Sequence, residues 1–254
     1  MHWEATAIIF AAGFCAGMIN SVAGGGTLLS FPTLLWLGRD PILANATNAV
    51  ALWPGSLAAM LGFRHSLGQS RRWLILLGAP SIVGGFLGAL LLLRTPSRTF
   101  SAIVPWLILL ATALLAAQGP ISRWLKRYHS GPPSHTWWAG AILFQLLVAV
   151  YGGYFGAGIG IMMLAALSLL RLTDIYQMNG LKNFFGMCIN AVAGACFAWS
   201  GAILWGDAAA MALGSIAGGY GGAGLARRVG PKVVRSAAVF VGLAMAVSLL
   251  IRRG

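Results

Sequence analysis

Apolar runs long enough to cross a bilayer recur along the whole chain, and no other feature narrows the available folds as sharply. Crossing about 30 Å of hydrocarbon takes roughly 20 apolar residues as a helix. Runs of that order lie at residues 14–37, 41–63, 73–93, 100–117, 137–170, 187–205, 208–226 and 233–251. Within lipid, every backbone N–H and C=O must be satisfied inside the protein, which favours helices for runs of this length. Composition agrees: of 254 residues, 59% are hydrophobic and 8% charged, with a mean hydropathy of +0.83. Soluble domains carry about 25% charged residues. The four acids are Glu4, Asp40, Asp174 and Asp207.

A net charge of +13 invites a nucleic-acid reading. The distribution excludes it, because the Lys and Arg residues sit almost entirely between apolar runs, where positive-inside anchors belong, and no soluble face is left to carry them. The N-terminus lacks a basic n-region, so the first span is expected to act as its own insertion signal. Cys15, Cys188 and Cys196 have no CxxC spacing and read as small buried residues. His65, His129 and His135 fall in basic loops and His2 is terminal. No metal site, cofactor or nucleophile–base pair emerges within the spans, so an enzyme is not expected. Trp73, Trp124, Trp137, Trp138 and Trp205 mark span ends as an aromatic belt.

The chain repeats itself. Ser81-Ile-Val-Gly-Gly-Phe-Leu-Gly88 matches Ser215-Ile-Ala-Gly-Gly-Tyr-Gly-Gly222, an offset of 134 (215 minus 81). The same offset pairs Gly24 with Gly158, Gly26 with Gly160, Asp40 with Asp174, Asn45 with Asn179, and Arg94 with Arg228. One register held this far indicates duplication, a common transporter design. The expected organisation is a first transmembrane repeat at 1–118, a basic, non-helical cytoplasmic linker at 119–135 and a second repeat at 136–254. Arg64, Arg71 and Arg72 make one loop of the first copy basic, whereas the equivalent loop, Gly201 to Asp207, has no Lys or Arg. In the second copy the basic cluster moves one loop along, to Arg227, Arg228, Lys232 and Arg235. The positive-inside rule then places opposite ends of the copies in the cytoplasm. The stretch from Trp137 to Arg171 must therefore cross an even number of times, as a hairpin or re-entrant pair. The expected fold is an all-α, polytopic membrane helix bundle. It has two inverted repeats, each a glycine-broken helical hairpin followed by three longer helices.

Glycine clusters inside spans are tolerated where backbone is buried in protein or lines a cavity, and broken helices there expose N–H groups suited to anions. Gly24, Gly25 and Gly26 in one copy and Gly156, Gly158 and Gly160 in the other are candidate ligand contacts. The first cluster is no phosphate-binding P-loop, since the GK[ST] ending is missing. Gly84/Gly88 and Gly218/Gly222, spaced as GxxxG, read as helix-packing sites. After each turn comes a helix with a polar face. Asn179, Lys182, Asn183 and Asn190 share one face in the second copy, and Asn45, Asn48 and Ser56 occupy the first, with Asp40 and Asp174 as N-caps. Asn48 corresponds to Lys182. Lys182 falls about 12 Å below its helix start at 1.5 Å per residue, where exposure to lipid would cost about 3 kcal/mol. It either snorkels to the interface or faces a ligand. With amide and hydroxyl donors and no acid beside it, the ligand reading is a small oxyanion.

Four segments carry a family resemblance: AGMINSVAGGGTLLSFP (16–32), ATNAV (46–50), GGYFGAGIG (152–160) and NGLKNFFG (179–186). Together they resemble the TauE/SafE family of sulfite exporters over nearly the whole chain. The resemblance implies movement of sulfur-containing anions, such as sulfite and organosulfonates, across the bacterial inner membrane, with export by some members and uptake by others. The second turn departs from the pattern, reading Gly158-Ile159-Gly160, and Ala166 stands where the first copy has Pro32; a less open turn is expected there. The expected function is a secondary anion exporter with a midplane site and alternating access. An anion channel, an uptake permease for a related anion and a scaffold role are the alternatives, with a homodimer left open.

Overall fold

Glycine turns and helix caps, more than hydropathy, decide where this chain changes direction. The computed structural model describes residues 2–22, 25–62, 70–126, 135–170, 172, 174–229 and 231–251. Among these, the apolar runs resolve into ten α-helices. The first half holds α1 (His2–Val22), α2 (Thr27–Trp36), α3 (Pro41–Gly62), α4 (Arg71–Arg94) and α5 (Ser97–Lys126). The second holds α6 (His135–Tyr154), α7 (Ile159–Leu169), α8 (Ile175–Trp199), α9 (Trp205–Val229) and α10 (Pro231–Ile251). Shifted by 134, each helix of the second half falls on its counterpart in the first. Each half is thus a hairpin with a short second arm, ten residues in α2 and eleven in α7, followed by three longer helices. At 1.5 Å per residue the short arms span only about 15 Å, half a bilayer core.

Local chemistry sets the boundaries. Asp40 opens α3 as an N-cap, its Oδ1 accepting the N–H groups of Ile42 and Leu43 at 2.9 and 3.2 Å. The Asp174 carbonyl accepts the Met178 N–H at the start of α8. One boundary differs from expectation: α5 continues to Lys126, so the first eight residues of the segment read as a non-helical linker are helical. Pro120 sits inside that helix, which shows that the polar composition ended the apolar run without ending the helix. Residues 127–134 and the basic segment at 63–69 lie outside the described residues.

Among the described residues, four helices contain stretches long and apolar enough to cross a membrane: Trp3–Asn20, Arg71–Arg94, Ser97–Ala117 and Gln177–Trp199. Helices α2, α6, α7 and α10 supply shorter apolar stretches. Although as long as the others, α3 and α9 are less apolar. In α3 this comes from Asn45, Thr47, Asn48 and Ser56, and in α9 from its glycines and Arg227 and Arg228. The bundle's outer surface is greasy, with Ile75, Leu91, Leu147, Leu213 and Phe240 exposed. Trp3, Trp36, Trp199 and Trp205 are all strongly exposed and gather at one end. The Arg39–Asp207 ion pair fixes that end, joining the chain just after α2 to the start of α9 at 2.7 Å.

The two halves are interlocked. Helix α1 packs along α9, and α6 along α4, so each hairpin lies against the fourth helix of the other half. Small residues make this close. A Cβ on Gly17 would overlap the Ser215 carbonyl oxygen, one on Gly218 the Phe14 carbonyl, and one on Gly88 the Val150 carbonyl. The packing reading of Gly84, Gly88 and Gly218 therefore holds, while the surroundings of Gly222 are outside the described residues. Helix α3 packs on α9 and α8 on α4. Two four-helix groups result: α1, α2, α3 and α9 in one, and α6, α7, α8 and α4 in the other. Helices α5 and α10 pack against each other and against the short arms, α5 on α7 and α10 on α2. Exchanging the halves maps this packing pattern onto itself, a pseudo-two-fold relation.

Candidate functional site

Two broken hairpins meet between the groups. In the second, the N–H groups of Phe155 and Gly156 both donate to the Tyr151 carbonyl, at 2.9 and 3.2 Å, ending α6. Gly156 and Gly158 take φ of +81° and +79°, a left-handed conformation that glycine adopts without a steric cost. Gly158 opens α7, and the Tyr151 hydroxyl donates to the Ala157 carbonyl at 2.8 Å, bracing the break. The first hairpin is held differently. The Gly26 N–H donates to Asn20 Oδ1 at 2.7 Å, and Gly26 lies so close to α1 that a Cβ would overlap the Ala16 carbonyl. Ser30 Oγ, one turn into α2, donates to Asn48 Oδ1. The breaks touch through the edge-to-face rings of Phe31 and Phe155, 5.3 Å apart, and through Asn45 Nδ2, which donates to the Tyr154 carbonyl at 2.9 Å.

Beneath the breaks lies a cavity of about 70 Å³, room for several waters or one small anion. The first group lines it with Asn20, Thr27, Asn48, Ser56 and Ser215. From the second come Lys182, Asn183 and Asn190, the turn glycines Gly156 and Gly160, and an apolar wall of Phe155, Ile159 and Met163. Lys182 is 5% exposed, and its amine has no hydrogen bond or ion pair among the described residues. Asn183 is 8% exposed, and its Nδ2 is buried without a partner. None of the four acids lines the cavity; Asp207 is held by Arg39 and Asp40 caps α3. No group of three or more His, Cys, Asp or Glu is placed to hold a metal ion among the described residues. A buried cation beside an unpaired amide donor, with hydroxyls around them, is chemistry able to pair with an oxyanion.

Of the residues expected at the site, the structure brings Asn48, Ser56, Gly156, Gly160, Lys182, Asn183 and Asn190 together around the cavity. Gly25, Gly26, Asn45, Gly158 and Asn179 do not line it. Asn45 ties α3 to the second break, Gly25 packs against Leu115 of α5, Gly26 packs on α1, and Gly158 meets Ala111 of α5. Asn179 is half-buried one turn from the cavity. Gly24 lies outside the described residues. Asn20, Thr27 and Ser215 line the cavity without having been expected there. The first two had a signal: they flank the glycines of the first motif.

A polytopic helical bundle with two broken hairpins converging on a polar cavity has the architecture of a membrane transporter. The sequence model of the sulfite exporter TauE/SafE family matches residues 9–249, and the chain belongs to that family. It is 31% identical over 255 residues to a probable membrane transporter protein of Haemophilus influenzae, covering 98% of this chain and 95% of the relative. It is 29% identical over 244 residues to the probable membrane transporter protein ORF9 of a Sinorhizobium species, covering 96% and 92%. Against the probable membrane transporter protein YfcA of Escherichia coli K12 the identity is 28% over 255 residues, covering 96% and 88%. No solved structure matches the chain.

Proposed function

We propose that the protein is a secondary transporter that exports a small sulfur-containing anion, of the sulfite or organosulfonate class, from the bacterial cytoplasm by alternating access around the cavity. The observation that carries this is Lys182, buried and without a partner among the described residues, beside the orphan Asn183 amide in a cavity without an acid. A buried charge with no partner is expensive and becomes favourable when an anion arrives to pair with it. An inside-negative potential adds about 2.3 kcal/mol per charge per 100 mV in the outward direction, so export needs no coupling ion.

The two repeats, 1–118 and 136–254, are proposed to be inverted across the membrane. Support comes from contact register. Thr47, near the start of α3, accepts the N–H of Leu204, beyond the end of α8, and Val50 meets Gly194, so these corresponding helices run in opposite senses. In this topology six helices cross fully and the two hairpins are re-entrant. Eleven basic residues then face the cytoplasm (Arg64, Arg71, Arg72, Arg123, Lys126, Arg127, Arg171, Arg227, Arg228, Lys232, Arg235). Five lie on the other side (Arg39, Arg94, Arg98, Arg252, Arg253), an asymmetry in the direction the positive-inside rule demands. The glycine-lined contacts hold the helices of each four-helix group close together, which supports the groups moving apart across the cavity as units.

The test is counterflow of labelled sulfite and methanesulfonate in proteoliposomes. Saturable counterflow is expected for the wild type and none for Lys182→Met. Undiminished flux in Lys182→Met would remove the site assignment, and single-channel currents in place of counterflow would make the protein a pore.

A further inference from the structure

We propose that the cavity admits only singly charged oxyanions, so that hydrogensulfite or a monosulfonate is carried while the sulfite dianion and sulfate are refused. This rests on the reading of the cavity as the anion site. Its basis is the cavity's charge count. Among the described residues, Lys182 is the one charged side chain lining the cavity. The other elements contribute neutral groups: Asn20 from α1, Thr27 from α2, Asn48 and Ser56 from α3, and Ser215 from α9. Asn183 and Asn190 on α8 are neutral as well. One negative charge cancels the buried ammonium; a second would remain uncompensated beside a lysine only 5% exposed, where an unpaired charge is strongly disfavoured.

The hydrogen-bonding chemistry points the same way. Amides and hydroxyls both donate and accept, so they can receive the proton of a protonated oxygen as well as bind bare ones. A receptor for a dianion gains nothing from acceptors and would be expected to carry additional cations. Among the described residues, no other titratable group lines the cavity to compete for the anion's proton. On the neighbouring helices, α6 carries Tyr151 and Tyr154, whose hydroxyls are engaged by the Ala157 carbonyl and by Thr95. Helix α4 carries its charges at the ends, Arg71, Arg72 and Arg94, while Cys188 of α8 does not line the cavity.

The experiment measures initial flux in proteoliposomes at about pH 6.5 and about pH 8.5, net of protein-free vesicles. Three probes are used: sulfite, which loses its second proton within that range, methanesulfonate, a monoanion throughout, and sulfate, a dianion throughout. Sulfite flux is expected to fall by about tenfold as hydrogensulfite disappears, methanesulfonate flux to change less than about twofold, and excess sulfate to leave both unaffected. Sulfite flux that holds or rises at the higher pH, or competition by sulfate, would overturn the proposal. A fall shared equally by methanesulfonate would assign the pH effect to the protein and overturn it too. Absence of flux for all three probes would end the carrier reading and this inference with it.

Discussion

Replacing Lys182 by methionine is expected to stabilise the empty protein while abolishing its response to anions. The side chain is 5% exposed and has no partner among the described residues. Holding a charge at the centre of a membrane helix costs about 3 kcal/mol on insertion scales. Methionine is unbranched, similar in length and adaptable in shape, so it fills most of the same space without the charge. Among the described residues the ammonium makes no hydrogen bond that the substitution would break, and water in the cavity would relieve part of its burial. A net gain of about 1–3 kcal/mol follows. The assay is unfolding of the purified protein in detergent, with and without saturating sulfite. At a hundred times its dissociation constant a ligand stabilises by about 2.7 kcal/mol; the wild type should show a shift of that order and Lys182→Met none. A variant less stable than wild type that still responds to sulfite would refute the reasoning, because Lys182 would then be structurally paired and the anion bound elsewhere.

Placing a carboxylate beside the ammonium, as Asn183→Asp, should satisfy Lys182 internally and eliminate sulfite counterflow while leaving expression intact; retained flux would argue against an anion at this position. Cysteine pairs test which units move. With the native cysteines removed, an oxidised Val50→Cys/Gly194→Cys bridge joins the two four-helix groups and should arrest transport until reduced. A Ser81→Cys/Gln145→Cys link, between residues hydrogen-bonded at 2.8 Å within one group, should leave transport unchanged; arrest by this link would mean that the sequence halves move instead. Gly218→Leu should lower stability by about 1–3 kcal/mol or more through overpacking against α1, whereas Gly140→Ala, where a Cβ meets nothing within 4 Å, should be close to neutral in the same unfolding assay.

Helix number, the broken hairpins and the glycine stripes were legible because each depends on local spacing. A run of twenty apolar residues, a GxxxG pair and an Asp before a helix carry their physics within one turn or one span. The partner of each stripe was not legible. Gly13 and Gly17 could lie against any small-residue face, and only the folded chain places them on Met211 and Ser215. The same limit explains the site. Matching positions at an offset of 134 favoured residues that are polar in both halves, which drew in Asn45 and Asn179. Asn20 corresponds to Tyr154 and Thr27 to Ile161, so pairing passed over them. Asn45 is buried for a different purpose, holding the backbone of the opposite turn. Lys182 was legible from its depth alone, since no helix end lies near enough to give its charge an easy exit.

The exchange of hairpins between halves also sets the order of events at the ribosome. Helix α1 is synthesised first, yet Gly13 meets its partner only when Met211 has been made, 198 residues later. Until then its small-residue face is open to lipid, and the Gly84–Gly88 face of α4 waits as well, for a shorter time, for α6. A released first half would carry two unsatisfied faces. By the internal pseudo-symmetry these fit the faces of a second such half, which in the proposed inverted topology is inserted the opposite way up. The segment joining α5 to α6 thus ties together what would otherwise have to find each other by diffusion, and it ensures that every molecule contains one Asn48 and one Lys182 rather than two of either.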